Sequence, residues 1–357
     1  MTTTIDRTAL PAVGIDLKYS HTIGRAEFSG PGFRNPTAMA RGEDDVMYVA
    51  NRSYDYRPDG KRITMCTVDE EFIGEFAKGV FEQGDGEAVS TDGAIIWPTA
   101  ITVGPNGNVY LADEYLDRIS IYSGEGEYLT KWERPGDGDG QWNKPSGLTF
   151  GPNGTLYLVD SNNHRVQMLT ADGEFIGQFG GFGDGPGQLN MPFGIETDQD
   201  GNVYVADWRN DRIQKFNADG KFLMQFGETG DGIGQFNRPT DVAVDNEGTI
   251  YVADWNNDRM QLFHPDGSFA GMTYGEATIS TWGKGKIDAN PEMWEEREIA
   301  QGLDREKLFW GPIAVECDDE GRIFVVETAR SRIQVFTKLD AVFYGVNERV
   351  SGGGGRL

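Results

Sequence analysis

Short runs of alternating hydrophobic and polar residues recur along the chain, and turn-forming residues separate them. The stretch from Pro239 to Phe263, PTDVAVDNEGTIYVADWNNDRMQLF, has β-rich runs, a turn at Asn246–Gly248 and a polar patch from Asp254 to Arg259. Alternation of this kind, bounded by Gly, Asn and Asp, is typical of half-buried β-strands. The 49 glycines and the many Val, Ile, Phe and Tyr residues also favour an all-β protein with frequent turns.

Nearly the same stretch occurs six times, and every copy begins at a proline. The copies begin at Pro36, Pro98, Pro145, Pro192, Pro239 and Pro312. The three intervals from Pro98 to Pro239 are each 47 residues, which is the mark of a repeat architecture. Each copy predicts four short strands, a to d, joined by hairpin turns with Asn-Gly or Asp-Gly. Six units of four antiparallel strands predict a six-bladed β-propeller.

The repeat resembles that of the NHL family of propellers. The residues that carry the resemblance are the glycine-rich GDGIGQFNRP before strand a and the body VYVADxxNxR(I/V)QxF. The resemblance extends from about His21 to Phe336 and implies a closed ring. We expect the segment His21–Arg25 to supply the outer strand beside Ile333–Phe336, while DAVFYGV near residue 343 is the alternative closing segment.

The predicted organisation is one propeller over residues 17–345, with an N-terminal extension at 1–16 and a glycine-rich flexible tail at 346–357. Three insertions lengthen the repeat, at 51–62, 77–96 and 273–311. The b–c and d–a connections of such a blade emerge at one end, so all three insertions are predicted on one face of the ring. Insertions that collect on one face of a repeat protein commonly mark its binding face. Within the third, Asn290-Pro291 and the following EMWEEREIAQG predict a short helix.

One pair of charges recurs at the b–c turn of the repeat. The acidic members are Asp113, Asp160, Asp207, Asp254 and Glu327, and the basic members are Arg118, Arg165, Arg212, Arg259 and Arg332. A pair repeated from blade to blade at the same point is most simply a structural staple, in which the carboxylate binds local amides and the arginine. We therefore expect no catalytic role for these residues.

The net charge of −25 makes this an acidic protein and argues against nucleic acid and anionic membranes as partners. No apolar run is long enough for a transmembrane helix, and the start lacks the pattern of a secretory signal. The two cysteines, Cys66 and Cys317, are predicted to be free thiols, which fits a reducing cytoplasm. The oligomeric state stays open.

Candidate site residues lie where the copies differ near the start of strand a. Asp241 replaces the Ala or Gly that the other copies have two residues after the proline, and it is the candidate base. Lys144 and Arg238 precede the proline and are the candidate anchors for an anionic group. The other predicted ligand-binding residues are Asn35, Trp97, Glu196, Trp208, Trp255 and Trp310. The insertion helix near Trp294 is expected to close over the ligand.

A distant similarity also exists to the propeller of peptidyl-hydroxyglycine amidating lyase, whose zinc histidines lie mainly beside the strand-a prolines. No histidine follows a repeat proline here, and His21, His164 and His264 fall in three different parts of the repeat. The sequence therefore gives no metal ligands, although a metal in the channel stays open, and no organic-cofactor motif is present.

Two hypotheses remain for the function. The first is a small-molecule enzyme of the lyase, hydrolase or isomerase type, with its pocket at the channel mouth on the insertion-bearing face. The second is a protein-binding or scaffold propeller without catalysis. A closed pocket with converging charged groups favours the first hypothesis, whereas a flat aromatic face favours the second.

Overall fold

The computed structural model describes residues 13–54, 58–79, 91–339 and 342–343. The predicted tail at 346–357, most of the predicted extension at 1–16 and part of the 77–96 insertion lie outside these residues. Six sheets of four antiparallel strands form the predicted six-bladed propeller.

The strands follow the repeat, with each blade built from four consecutive strands except at the ring closure. The first two strands are β1 Val13–Gly14 and β2 Leu17–Ile23. Blade 1 has β3 Pro36–Arg41, β4 Val46–Asn51, β5 Arg62–Thr67 and β6 Phe72–Phe76, and blade 2 has β7 Pro98–Val103, β8 Val109–Asp113, β9 Arg118–Tyr122 and β10 Tyr128–Glu133. Blade 3 has β11 Pro145–Phe150, β12 Leu156–Asp160, β13 Arg165–Leu169 and β14 Phe175–Gly180, and blade 4 has β15 Ile195–Thr197, β16 Val203–Asp207, β17 Arg212–Phe216 and β18 Phe222–Phe226. Blade 5 has β19 Pro239–Val244, β20 Ile250–Asp254, β21 Arg259–Phe263 and β22 Phe269–Thr273, and blade 6 has β23 Pro312–Cys317, β24 Arg322–Glu327 and β25 Arg332–Lys338.

The N-terminal strand closes the ring, as predicted. Strand β2 pairs with β25 in the register His21 with Val335 and Ile23 with Ile333, and it becomes the outer strand of blade 6. The alternative closing segment near residue 343 pairs elsewhere, because β26, Val342–Phe343, forms a two-stranded sheet with β1. Next to this small sheet, the Ile15 amide donates to the Ala270 carbonyl in the outer strand of blade 5.

The core lies between neighbouring blades. Strand b is buried along its whole length, as in Val203–Asp207, because the sheets on either side cover both of its faces. The outer strand Phe175–Gly180 instead alternates between exposed and more buried positions. Aromatic rings fill the gaps between blades, for example Phe236 against Phe263 with ring centroids 5.5 Å apart. Each blade therefore supports the next, and no blade needs a core of its own.

The recurrent charges form the predicted structural staple. The arginine Nε donates to a carboxylate oxygen at 2.7 Å in Asp160–Arg165, 2.8 Å in Asp207–Arg212 and 2.7 Å in Asp254–Arg259. Blade 2 varies this arrangement, because Asp113 accepts hydrogen bonds from the backbone amides of Ile96, Trp97, Tyr115 and Leu116. The staple thus fixes the b–c turn to the loop before strand a.

The third insertion contains three helices, of which the sequence predicted one. The helices are α1 Thr281–Asp288, α2 Glu292–Ile299 and α3 Leu303–Lys307. The predicted helix is α2, with Pro291 at its N-cap rather than inside its first turn. Two glycines in α1 concealed it in the sequence, because glycine disfavours helix interiors. Three-residue 3₁₀ turns occur at Pro58–Gly60, Ser161–Asn163 and Trp255–Asn257.

Both cysteines are free, as predicted, and Cys66 is buried. Burial raises the pKa of the Cys66 thiol to about 12, so it stays protonated and unreactive at neutral pH. Among the residues that the structure describes, no helix has the length and apolar character needed to cross a membrane.

Candidate functional site

The inner strands of the six blades surround a narrow central channel. The residue that follows the proline joins neighbouring blades, since Thr37 Oγ1 donates to the Pro98 carbonyl at 2.9 Å and Thr99 Oγ1 to the Pro145 carbonyl at 2.8 Å. Ser146 and Thr240 make the same contact with Pro192 and Pro312. The cavity in this channel has a volume of about 50 Å³, which is room for a few water molecules and not for an organic substrate.

Asp241 is the most unusual group in the channel wall. The equivalent positions carry Ala38, Ala100, Gly147, Gly194 and Ala314. Its Oδ2 accepts a hydrogen bond from the Val315 amide of blade 6 at 3.0 Å. Its Oδ1 occupies the space beside Gly194 of blade 4, where an added Cβ would lie 2.2 Å from it. The carboxyl group is thus wedged between two neighbouring blades.

Two glutamates face the same channel, one on blade 4 and one on blade 6. Glu196 Oε1 accepts from Thr149 Oγ1 at 3.0 Å and from the Thr197 amide at 2.6 Å. Burial raises the pKa of Glu316 well above its usual value, and the charges of Glu196 and Asp241 raise it further. Burial likewise raises the pKa of Asp241 to about 8, against the lowering effect of backbone hydrogen bonds from Val315 and Val242. The channel therefore holds protons at neutral pH.

These carboxyl groups do not form a metal centre in the structure. In the described part of the chain, no group of three or more His, Cys, Asp or Glu side chains is arranged to hold a metal ion. His164 has a local structural contact instead, because its Nδ1 accepts a hydrogen bond from the Met191 amide at 2.9 Å.

A larger pocket lies on the rim of the insertion-bearing face, between blades 5, 6 and 1. It has a volume of about 400 Å³ and is lined by Asn35, Trp255, Asn256, Asp258, Trp310, Gly311, Thr328 and Ala329. Trp255 follows Asp254, which pairs with Pro239, so this tryptophan stands at the same end of blade 5 as the start of strand a. Asp241 lies two residues further along that strand, or about 7 Å deeper. The rim pocket therefore lies beside one end of the channel, and this is the end nearer to Asp241.

The residues before the repeat prolines have a structural role that sequence reasoning missed. Asn35, Lys144 and Arg238 have left-handed backbones, with φ of 48°, 56° and 60°. Their amides point back to the preceding blade, where Asp117 accepts from the Lys144 amide at 2.6 Å and Asp211 from the Arg238 amide at 2.7 Å. The backbone at this position therefore joins the blades, and the side chains are left to project over the face.

The structure distributes the predicted site residues over several places. Asn35, Trp255 and Trp310 meet in the rim pocket, while Asp241 and Glu196 meet in the channel. Arg238 lies over the Trp208 ring at 4.4 Å, with its Nη1 buried and without a hydrogen-bond partner among the described residues. Trp97 packs on Tyr115 and under Arg52, and Lys144 is exposed. A ligand-binding role for each of them remains a prediction.

Other residues of the site had weak sequence signals. Asp258 lines the rim pocket, and its Oδ1 accepts from the Gly311 amide at 2.7 Å. Thr328 lies on the same pocket and donates to the Pro36 carbonyl at 2.8 Å. Both stand at repeat positions with ordinary turn residues, so only the three-dimensional gap between blades 5, 6 and 1 reveals them. Trp294 donates to Asp288 at the end of α1 and does not line the rim pocket.

Comparison with protein families identifies two stretches of the chain. Residues 236–263 match the NHL repeat. The chain carries an NHL repeat. Residues 137–228 match the SMP-30/Gluconolactonase/LRE-like region, which overlaps blades 3 and 4 of the NHL-type propeller. None of the curated proteins compared with the chain matches it significantly.

Solved structures share the propeller fold at low sequence identity. A protein of unknown function from Bacteroides thetaiotaomicron is 16% identical over 91% of this chain and 76% of its own, with a TM-score of 0.60. A catalytically inactive virginiamycin B lyase from Staphylococcus aureus with quinupristin is 12% identical over 90% of this chain and 99% of its own, with a TM-score of 0.53. A streptogramin B lyase is 14% identical, covers 93% of this chain and all of its own, and has a TM-score of 0.53. These similarities establish the propeller fold.

Proposed function

We propose that the protein is a small-molecule enzyme of the lyase or hydrolase type, with its substrate on the insertion-bearing face and its reacting group at the channel mouth. The observation that carries the proposal is Asp241. It is a carboxyl group in a position where the repeat otherwise has Ala or Gly, and its pKa is raised to about 8. Strongly shifted pKa values in a cleft are characteristic of groups that transfer protons.

The raised pKa has a physical basis that suits catalysis. Asp241 is held by backbone amides and has no arginine or lysine as a hydrogen-bond partner among the described residues, unlike the staple aspartates. A group whose pKa lies near the working pH exists in both protonation states, so it can give and take a proton in one cycle. An ordinary surface aspartate is fully ionised at neutral pH and donates poorly.

The substrate body is placed in the rim pocket, because the channel cavity is too small for it. Trp255 and Trp310 offer apolar walls, and Asn35 and Asp258 offer hydrogen-bonding groups. A substrate held there directs one group toward Asp241. Glu196 and Glu316 act on the reaction through charge, since ionisation of either raises the cost of ionising Asp241.

Asp241 supports two reaction types in this arrangement. In the first, its carboxylate removes a proton from a substrate carbon while a bond to oxygen breaks, which is a lyase reaction. In the second, it removes a proton from water as the water attacks an ester or lactone, which is hydrolysis. In both, the protonated carboxyl then returns the proton to the leaving oxygen, so the enzyme is restored.

The comparisons support this choice of reaction types without deciding between them. One family match is to a region named for gluconolactonase, and two of the similar structures are named as lyases of streptogramin B and virginiamycin B. Gluconolactone and quinupristin are therefore the first compounds to test.

The experiment is a turnover assay with gluconolactone, quinupristin and a set of simple esters and lactones, with products identified by mass spectrometry. Hydrolysis of a cyclic ester or lactone gives one product heavier than its substrate by one water, hydrolysis of a simple ester gives an acid and an alcohol, and a lyase product from a cyclic substrate has an unchanged mass. The variant Asp241→Asn is expected to lower kcat by about 100-fold or more, because general acid–base groups contribute on that order.

The matched control is Asp172→Asn, which makes the same substitution at an exposed c–d turn on the opposite face. Full activity of Asp241→Asn would place the chemistry elsewhere. Absence of turnover by the wild type, together with no binding of any compound in the rim pocket, would favour the second hypothesis below.

The second candidate is a protein-binding propeller. Phe182 and Trp310 expose 69% and 59% of their surface in two different inter-blade connections of the insertion-bearing face, and Ile233 exposes 63% in a third. They are single apolar side chains in separate loops, a pattern that is common on ordinary protein surfaces. A carboxyl group in a channel, such as Asp241, is not a common surface feature of this kind. Catalysis is therefore favoured over protein binding.

A further inference from the structure

The third insertion and blade 6 enclose a cavity that the repeat alone would not produce. It has a volume of about 920 Å³ and lies between the closing strand, the start of α1, the helices α2 and α3, and the b–c turn of blade 6. This is the size of a pocket for an organic ligand. It is separate from the rim pocket, with which it shares no lining residue.

The charge of this cavity is opposite to that of the protein. Its basic lining residues are Arg25, Arg297, Lys307, Arg330 and Arg332, and its acidic lining residues are Asp304 and Glu306. The chain as a whole carries a net charge of −25. A concentration of positive charge in one concave place on an acidic protein needs a specific cause, since a random sample of this surface would be acidic.

The staple arginine of blade 6 is incompletely bonded. In blade 5, Arg259 donates from Nε to Asp254, from Nη1 to the Asp231 carbonyl at 2.7 Å, and from Nη2 to the Gly232 and Gln235 carbonyls. In blade 6, Arg332 bonds Glu327 and the Leu308 carbonyl, and its Nη1 makes no hydrogen bond to any residue that the structure describes. The loop that satisfies this atom in blade 5 has been replaced by the insertion. Arg332 is nine-tenths buried and lines the cavity.

A second position adds a charge where the repeat has a neutral amide. Asn257 of blade 5 donates to the Gly230 carbonyl and to Asp254, both at 2.9 Å. The equivalent residue in blade 6 is Arg330. Its Nη2 donates to the Arg305 carbonyl at 2.7 Å, but its Nε is buried without a hydrogen bond and lies 4.0 Å from Glu327. Burial and then the charge of Arg332 lower the pKa of Arg330, against the raising effect of Glu327, Glu306 and Asp258.

The remaining basic groups of the cavity have fewer acidic partners than are needed to neutralise the lining. Arg297 is paired with Glu306 at 2.6 Å, and Arg25 lies 3.4 Å from Glu27. Lys307 is exposed and forms no ion pair within the described ranges. Asp304 is the one remaining acidic group that lines the cavity. Arginines and an exposed lysine at a concave surface are groups that proteins use to bind oxyanions.

We propose that this cavity binds a small organic anion with two or more phosphate or carboxylate groups, held by Arg330 and Arg332 at its floor and by Lys307 at its edge. Bound oxyanion would accept from the free Nη1 of Arg332 and relieve the repulsion between the two guanidinium groups. The site goes beyond the proposed function, because binding there requires neither Asp241 nor turnover.

Titration calorimetry with pyrophosphate and with citrate tests the proposal on the full chain. Saturable binding of at least one probe with one site per chain is expected. The variant Arg330→Met should weaken that binding about tenfold or more, since a hydrogen bond to a charged group contributes on that scale. The matched control is Lys221→Met, which removes one exposed positive charge on the opposite face and should change the affinity less than twofold.

Two further variants keep the result decisive. Lys307→Met changes an exposed side chain, so it should fold normally and still weaken binding. Asp241→Asn should leave the affinity for the probes unchanged, whatever it does to turnover. Preference for pyrophosphate or for citrate identifies the phosphate or the carboxylate ligand. Absence of saturable binding of both probes, or equal binding by the wild type and by both Arg330→Met and Lys307→Met, would overturn the proposal.

Discussion

Blades 5 and 6 occupy neighbouring places in the ring and contain the same staple, yet they satisfy it differently. In blade 5 every nitrogen of the Arg259 guanidinium donates a hydrogen bond, and Asp254 is bonded by Arg259, Asn257 and the Asn237 amide. In blade 6 the insertion has displaced the loop that accepts those bonds, and an arginine stands in place of the asparagine. The same repeat chemistry therefore gives a closed structural unit in one blade and a basic cavity in the next.

A similar contrast exists within blade 5. Asp254 and Asp241 are both surrounded by protein, but the first is paired with an arginine while the second is bonded by backbone amides. The aspartate that follows the repeat thus has a basic partner, whereas Asp241, which departs from it, has none among the described residues that hydrogen-bond to it. A buried charge without a partner is unfavourable. Binding of a ligand or a proton therefore stabilises the protein most at the positions that differ from the repeat.

The largest expected effect comes from removing a compensated charge. Arg259→Met leaves Asp254 buried without its partner and should lower the free energy of unfolding by about 3–5 kcal/mol. Arg330→Met removes an arginine that is repelled by its neighbour and should lower it by less than about 0.5 kcal/mol, or raise it. Urea unfolding followed by circular dichroism measures both. Equal losses of unfolding free energy in the two variants would contradict the proposed difference between blades 5 and 6.

A smaller effect, of opposite sign, is expected in the channel. The pKa of Asp241 is about 8 in the folded protein and about 4 in the unfolded chain, so between these values the folded state holds a proton that the unfolded state has released. Stability should therefore fall as the pH rises from about 4 to 8, by at most about 1.4 kcal/mol per pH unit. Asp241→Asn cannot ionise, so it should lack this fall and be more stable than the wild type at pH 8.

Asp254→Asn is the matched substitution in the staple of the same blade. It removes the negative charge that Arg259 requires, so it should destabilise the protein at pH 8 instead of stabilising it. Unfolding curves at several pH values between 4 and 8 compare the two variants. If the stability of Asp241→Asn depends on pH in the same way as that of the wild type, Asp241 is not the group whose ionisation destabilises the protein.

The smallest effect concerns the inner ring. Thr99 donates to the Pro145 carbonyl at 2.8 Å, and Thr99→Val should lower the free energy of unfolding by about 1 kcal/mol. Blade 6 has Ile313 at this position and already lacks the hydroxyl. Ile313→Val, which also leaves no hydroxyl, serves as the comparison and should lose no hydrogen bond. A neutral Thr99→Val in thermal unfolding would show that these bonds do not hold the blades together.

The sequence predicted the ring well because the repeat is redundant. Each proline, turn glycine and staple pair appears several times, so one degenerate copy such as blade 1 does not obscure the fold. The closing strand was also predictable, since the pattern around His21–Ile23 matches an outer strand that the last copy lacks. These features depend on local spacing, which a sequence records directly.

The site was predicted less completely, for two physical reasons. The residues before the prolines stay predicted ligand contacts, and their backbone conformation and amide bonds between blades are not visible in a sequence. The basic cavity depends on how the helices of the insertion fold back onto blade 6, and residues far apart in sequence, such as Arg25 and Arg330, meet there. The substitution of Arg330 for the repeat asparagine was the one available signal.

The Asp241 carboxyl group in the channel is expected to be still protonated at neutral pH. A titration of the protein with ¹³C-labelled aspartate, followed by carboxyl chemical shifts in the wild type and in Asp241→Asn, tests this directly. One aspartate signal should titrate near pH 8 and be missing from the variant. If every aspartate of the wild type is ionised by about pH 5, as ordinary carboxyl groups are, the claim is contradicted.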